Sequence, residues 1–365
     1  MPLSDLIVFI RHREFAVSNK REDVLPIHML RVGVIGVGSM GQNHARIYSE
    51  MGCLVGVNDA FPDSAKYVAK RLGTNVFDSV DDLLANVDAV SICTPTTSHF
   101  AVAKKAIELG KAVLVEKPFT GDETQARTLC ELAEANKVTL ASGFVERFNP
   151  VVAATKEALA VGKFGRLVSI GSRRVSSLPG RIRDVGVIKD LAIHDVDVIR
   201  HITGQEVRSV YALGGRMNGL QFEDHANFLM DMGNSVIATV EVNWLTPMKV
   251  RNVSLTCSSG FAQMDYMDQS LKFSSSMVQG MDDADMSQIP MVLDVHHVFV
   301  KREEPLRREL ESFLNAAEMS SQAEVDGWDA LANLRVCNAA LLSLAGGQQV
   351  DMSETFEPGS SMSVI

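Results

Sequence analysis

Three groups of residues have types and spacings suited to chemistry. The first is Gly36-x-Gly38-x-x-Gly41, which follows an apolar run from Leu30 to Ile35 and opens a polar-faced segment at Ser39 and Met40. Glycine at the first position permits a tight turn, at the second lets backbone N–H groups approach a pyrophosphate, and at the third lets a helix pack on a strand. The helix start offers unpaired N–H groups and the positive end of its dipole, so a diphosphate can be held there without a basic residue. A second apolar run, Cys53 to Asn58, ends at Asp59. A carboxylate there can accept hydrogen bonds from a ribose diol and would repel a 2′-phosphate. The next residues, Ala60-Phe61-Pro62-Asp63, bring no arginine to reverse that preference, so the expected cofactor is NAD. The competing view is a glycine-rich turn in an ordinary α/β domain with a surface aspartate.

The second group follows two later apolar runs. Thr94-Pro95, with His99 four residues on, comes after Ala89 to Cys93, and Glu116-Lys117-Pro118 comes after Ala112 to Val115. In doubly wound sheets ligands bind beyond the carboxyl ends of the strands, which is where both segments fall. The third group is Asp190-x-x-x-His194, whose helical spacing sends both side chains from one face. Asp197 and His201 continue that spacing, which a solvated helix face would also produce. His201, late on the helix, suits a cation near its C-terminus, and His296-His297 have no partner at metal-ligand spacing, so no metal is expected. Arg173, Arg174, Arg181 and Arg183 cluster just before Asp190 in an acidic chain and are candidates for holding a diphosphate. Equally, they can be solvated or paired with the excess carboxylates.

Positioning these groups requires two kinds of sheet. Residues 29–149 alternate short apolar runs with helical patterns: helix from Pro62 to Leu72, strand at Val76-Phe77, a helical turn from Asp81 to Ala85, helix from Ser98 to Leu109, helix from Gly121 to Asn136, strand from Thr139 to Ser142. That rhythm predicts an α/β, six-strand doubly wound Rossmann domain. Residues 150–328 begin with a helix and then show long alternating runs, including Leu167 to Arg173, Val207 to Leu213, His225 to Met232, Ser235 to Trp244, Asn252 to Cys257 and Phe261 to Tyr266. Turn punctuation at Gly233-Asn234 and Ser258-Ser259-Gly260 predicts a mostly antiparallel open sheet in an α+β domain, with the Asp190 to Ile202 helix covering one face. A helix over 306–317 closes that domain, and a helix over 329–344 is expected to brace the first. Residues 1–28 fit neither domain and read as an extension outside the core or an extra helix; 351–365 reads as a flexible tail.

Composition narrows the functional classes. The apolar share is 46%, charged residues are 22%, and the net charge is −10, which suits a globular protein and opposes general binding to nucleic acid or to anionic membranes. Five cysteines lack paired or metal-ligand spacing, as expected of buried thiols in a reducing cytoplasm. No apolar stretch reaches the length of a membrane span.

With these motifs in order, the sequence resembles the Gfo/Idh/MocA family of NAD(P)-dependent sugar and polyol oxidoreductases over about residues 30 to 346. Within it, Phe144 to Pro150, Lys189 to Asp195 and Glu241 to Pro247 look like the branch that oxidises C3 of UDP-N-acetylglucosamine or its uronate. The resemblance implies that Gly36, Gly38, Ser39, Met40, Gly41, Asp59, Thr94, Pro95, His99 and Glu116 bind the cofactor. It implies that Lys117, His194 and Asp190 are catalytic, and that a homo-dimer or homo-tetramer forms through the second-domain sheet. On these residues the roles make chemical sense. His194 can take the hydroxyl proton, and Lys117 can donate to the developing alkoxide or share the proton transfer. Asp190 can anchor a sugar hydroxyl or orient the imidazole. Arg173 and Arg174 remain candidates for the diphosphate of the substrate. The expected reaction is NAD-dependent oxidation of a sugar secondary hydroxyl to a 3-keto sugar, with both Lys117 and His194 reaching the same carbinol. Alternatives are an inositol or polyol dehydrogenase, an NAD-using glycosidase, or a non-catalytic nucleotide-sugar sensor.

Overall fold

The computed structural model describes residues 10–16, 30–178, 185–278 and 291–353. Among them no helix is long and apolar enough to cross a membrane. Contacts divide the chain into a unit of Arg21–Phe148 with Glu304–Asn338 and a unit of Met1–Lys20, Asn149–Glu303 and Ala339–Ile365. The first described strand, β1 (Ile10–Ala16), lies in the latter.

The nucleotide unit runs β2 (Val32–Ile35), α1 (Ser39–Glu50), β3 (Leu54–Asn58), α2 (Pro62–Leu72), β4 (Asn75–Val76), α3 (Val80–Asn86), β5 (Ala89–Ile92), α4 (Thr96–Glu108), β6 (Ala112–Glu116), α5 (Glu123–Asn136) and β7 (Leu140–Gly143). Its six strands are parallel in the order β4-β3-β2-β5-β6-β7. The chain winds outward from β2 in one direction and from β5 in the other, so the switch point lies at the carboxyl ends of those two strands. All four residues of β2 and of β5 are buried, as strands covered on both faces must be. Local chemistry fixes the helix starts. Ser79 accepts from the Asp82 amide at 3.0 Å, Asp122 accepts from the Gln125 amide at 2.9 Å, and Pro62 opens α2.

The remaining helices are α6 (Pro150–Ala160), α7 (Ile193–Thr203), α8 (Pro305–Glu318) and α9 (Gly327–Gly346). Sequence periodicity placed α8 with the second domain, but contacts group it with the nucleotide unit. Its apolar face, Leu306, Leu310, Phe313 and Leu314, packs into the core built by Val32, Val34, Ile47 and Tyr48. An i, i+4, i+7, i+8 stripe reveals that a helix has a buried face but not which sheet covers it. The start of α9 is tied to the same unit by Trp328, whose indole donates to Glu134 at 2.7 Å, and by Asn338, which donates to Glu123 at 2.7 Å.

The second unit carries β8 (Leu167–Ser177), β9 (Ser209–Gly215), β10 (His225–Asp231), β11 (Ile237–Asn243), β12 (Leu245–Cys257), β13 (Gly260–Asp265), β14 (Ser270–Val278), β15 (Met291–Phe299) and β16 (Val350–Asp351). They form a ten-stranded sheet with β1, ordered β1-β15-β14-β13-β12-β8-β11-β10-β9-β16. The pairs β8/β11 and β1/β15 are parallel and the others antiparallel. One face packs on α6 and α7.

Several boundaries and elements differ from expectation. Strands β14 and β15 carry polar residues at positions that broke the alternation, so periodicity did not reveal them. Residues 1–28, read as lying outside the core, include β1, which pairs in register from Ile10↔Leu293 to Ala16↔Phe299. Of the expected tail 351–365, Asp351 pairs with Ser209, and 354–365 lie outside the described residues. The helix expected from Asp190 begins as a π-helical turn over Ile188–Ala192 and continues as α7.

Candidate functional site

In the nucleotide unit the three glycines occupy three different physical situations. Gly36 has φ +85°, and a Cβ on it would sit 2.8 Å from the Cys93 carbonyl and the Thr94 amide nitrogen. A Cβ on Gly41 would lie 1.8 Å from the Gly36 carbonyl oxygen. Gly38 differs, because a Cβ there would meet nothing within 4 Å. The space over Gly38 is therefore open toward a ligand, while Gly36 and Gly41 are required by the protein's own packing. Gly38 and Ser39 are exposed, Met40 is half-buried, and no side chain caps the start of α1. Asp59 follows β3, and its carboxylate accepts from the Val37 amide at 2.7 Å and the Phe61 amide at 2.8 Å. Two of its roughly four lone-pair sites are thereby fixed, which orients the remainder. An uncapped helix start, an open glycine and an oriented carboxylate suit a dinucleotide: Gly38, Ser39 and Met40 at the pyrophosphate and Asp59 at a ribose.

The loops after β5 and β6 are bound together by His99. Its ring is buried, with Nε2 2.8 Å from the Thr94 carbonyl oxygen and Nδ1 2.9 Å from the Pro118 carbonyl oxygen. Burial pulls the imidazole below its usual range, against the two carbonyls that favour the protonated form. Thr94 Oγ1 accepts from Ser98 at 2.7 Å, which closes the first turn of α4 behind the exposed Pro95. Glu116, at the end of β6, is also buried. Its Oε1 lies 3.0 Å from His44 Nε2, and its Oε2 accepts from the Lys117 amide at 3.1 Å. Burial alone would raise the Glu116 carboxyl, but His44 and the Lys117 ammonium outweigh it and hold the group below the ordinary carboxyl range. His99 and Glu116 were both expected beside the cofactor. Their side chains brace the loops that carry Thr94 and Lys117.

In the second unit, Asp190 lies in the π-helical turn and His194 one turn later in α7, each only 9% exposed. The π turn has its own support. Glu223 accepts from the Ile188 amide at 3.0 Å, and a Cβ on Gly186 would meet that carboxyl at 2.1 Å. Burial raises the Glu223 carboxyl. Sequence reasoning missed Glu223, His44 and Glu309, since each lies far along the chain from the motif it touches.

Arg173 and Arg174 have separate surroundings. Arg174 is buried, donates from Nε to Asp195 Oδ2 at 2.9 Å, and lies over the Tyr266 ring with its guanidinium carbon 4.9 Å from the centroid. Ser172 donates to the other oxygen of Asp195 at 2.6 Å. Arg173, its neighbour, is 49% exposed in its side chain and pairs with Glu241 at 3.0 Å. Successive strand residues point to opposite faces, so Arg174 faces α7 while Arg173 faces away from Asp190 and His194. Arg181 and Arg183 lie outside the described residues.

Comparisons with known proteins agree with this architecture. Residues 30–144 match the model of the oxidoreductase family with an NAD-binding Rossmann fold, and residues 152–263 match the GFO/IDH/MocA C-terminal domain. The chain is 35% identical over 318 residues to a UDP-N-acetylglucosamine 3-dehydrogenase of Acidithiobacillus ferrooxidans, covering 86% of this chain and 96% of the relative. A solved structure of that name from the same organism superposes with a TM-score of 0.78 at 31% identity, covering 87% of this chain and 98% of the other. An inositol 2-dehydrogenase of Rhizobium meliloti is 29% identical, over 89% of this chain and 99% of its own. With both domains matched in order along one chain, the protein belongs to the Gfo/Idh/MocA family of NAD-dependent oxidoreductases.

Proposed function

We propose that this enzyme oxidises C3 of UDP-N-acetylglucosamine, or of a closely related UDP-sugar, to the 3-keto sugar. Bound NAD supplies the hydride acceptor. The chain's own groups do the rest. Lys117 donates a hydrogen bond to the substrate oxygen as alkoxide character develops, and His194 accepts the hydroxyl proton. Asp190 anchors a sugar hydroxyl or orients the imidazole. Gly38, Ser39, Met40 and Asp59 hold the dinucleotide, and Thr94 and Pro95 line the loop beside it. A cytoplasmic homo-dimer or homo-tetramer acting on a small molecule completes the reading.

The observation that carries the substrate assignment is the near full-length likeness to a relative named for UDP-N-acetylglucosamine. It does not rest on Arg173 and Arg174, which have other partners. A second reading, oxidation of an inositol, is favoured by the equally long likeness to inositol 2-dehydrogenases. Absorbance at the NADH band, followed with UDP-N-acetylglucosamine, UDP-glucose and myo-inositol in parallel, separates the two. Highest kcat/KM with the UDP-N-acetylhexosamine is expected; NADH formation from myo-inositol alone would transfer the assignment to the polyol.

A further inference from the structure

Behind Lys117 lies a buried polar cluster drawn from three elements that are distant in sequence. His44 of α1 is fully buried, Glu116 of β6 and Glu309 of α8 nearly so, and their ligand-type atoms all fall within 4.8 Å of one another. Placing such groups in a packed interior is costly unless they are hydrogen-bonded or paired. One carboxylate does the linking. Glu116 receives His44 on Oε1 and the amide of Lys117 on Oε2. Because a carboxylate only accepts, His44 Nε2 carries the hydrogen in that contact. The room for the carboxylate is itself specified, since a Cβ on Gly143, opposite Glu116 in β7, would lie 2.9 Å from the carboxyl carbon.

We propose that His44 and Glu116 are positioning residues that hold the backbone of Lys117, and so the direction of its ammonium, through one bridging carboxylate. The inference deepens the assignment of Lys117 to the substrate oxygen and rests on it. α1 starts at the glycine loop, so the bridge joins the phosphate-binding helix to the residue assigned to chemistry. Glu116 thus acts through Lys117.

Glu116→Ala, Glu116→Gln, Lys117→Ala and the Glu116→Ala/Lys117→Ala double variant of the full chain form the test, with NADH formation and NAD binding measured for each. Glu116→Ala is expected to lower kcat by about 100-fold, the scale of a small misplacement of a reacting group, with the KM for NAD within about twofold of wild type. Glu116→Gln is expected to recover most of that loss. Its amide oxygen can accept from Lys117, and its NH2 can donate to Nε2 of the other His44 tautomer. The double variant should be no slower than Lys117→Ala alone, because the effect passes through the missing lysine. A double variant slower than Lys117→Ala by the full Glu116 factor would overturn the inference, as would wild-type turnover by Glu116→Ala alongside an inactive Lys117→Ala. Wild-type turnover by Lys117→Ala would remove the underlying assignment as well. Activity lost to EDTA and restored by Zn²⁺ would make the cluster a metal centre and displace the positioning role.

Discussion

The glycine loop of the nucleotide unit and the arginine-bearing strand β8 of the second unit both stand out in the sequence, yet they report different things. Gly36, Gly38 and Gly41 report backbone requirements: a positive φ, open space and a close approach to a carbonyl. The positive φ of Gly36 and the approach of Gly41 to the Gly36 carbonyl are set within a few residues, and spacing encodes them directly. Arg173 and Arg174 report only charge. Their partners, Glu241 on β11 and Asp195 on α7, are chosen by strand alternation and by packing across tens of residues, which a run of basic residues does not encode. A motif built on backbone geometry therefore carries over from sequence to structure more faithfully than one built on charge.

Substitutions at the two arginines would sharpen that contrast most. Arg174→Ala leaves the fully buried Asp195 without its guanidinium and should cost about 3–5 kcal/mol of stability. Arg173→Ala, whose ion pair is solvent-exposed, should change stability by less than about 1 kcal/mol. Urea unfolding of the two variants checks this, and similar midpoints for both would break the distinction. Within the glycine loop, Gly41→Ala should destabilise by about 1–3 kcal/mol through overpacking against the Gly36 carbonyl. Gly38→Ala should fold with a loss below about 1 kcal/mol while weakening NAD, since its methyl fills the space left for the pyrophosphate. Thermal melts with and without NAD test the pair, and an unchanged NAD shift for Gly38→Ala would count against the cradle. Asp59→Ala should weaken NAD by about tenfold, the loss of a hydrogen bond to a charged acceptor, and narrow its advantage over NADP. Comparing the two KM values settles that, and an unaltered ratio would remove Asp59 from cofactor selection. The smallest effect concerns acid stability. Because the Glu116 carboxyl lies below its ordinary value of 4.5, its contribution is complete above that pH and is lost as pH falls through the folded value. Glu116→Gln should flatten that acid limb in a stability profile; an unchanged limb would assign it to other carboxylates.

The legible parts of the fold share one property. The strand and helix alternation of residues 29–149 and the position of every glycine in the loop follow from periodicity and backbone chemistry. What was hidden depends on long-range pairing. The polar-interrupted strands β14 and β15, the pairing of β1 with β15 and the docking of α8 on the nucleotide core are decided by partners hundreds of residues away in some cases. In the nucleotide unit Lys117 stood out by its strand-end position, and in the second unit Asp190 and His194 stood out by their spacing, while the groups that brace their segments did not. His44 sits one turn after Gly41, a spacing that could have flagged it, but Glu116 as its partner appears only when β6 is laid beside α1. Glu223 is similarly invisible until the loop before β10 is folded onto the π turn.

The central claim is that the ammonium of Lys117 serves the oxidation of a sugar hydroxyl by NAD, and single-turnover NADH formation from UDP-N-acetylglucosamine tests it most directly. With enzyme in excess and NAD saturating, wild type is expected to form NADH. Lys117→Ala should bind NAD equally well, yet form NADH slower by about 10²–10⁴-fold, the range for loss of a positioned acid or base. Equal single-turnover rates for the two proteins would contradict the account.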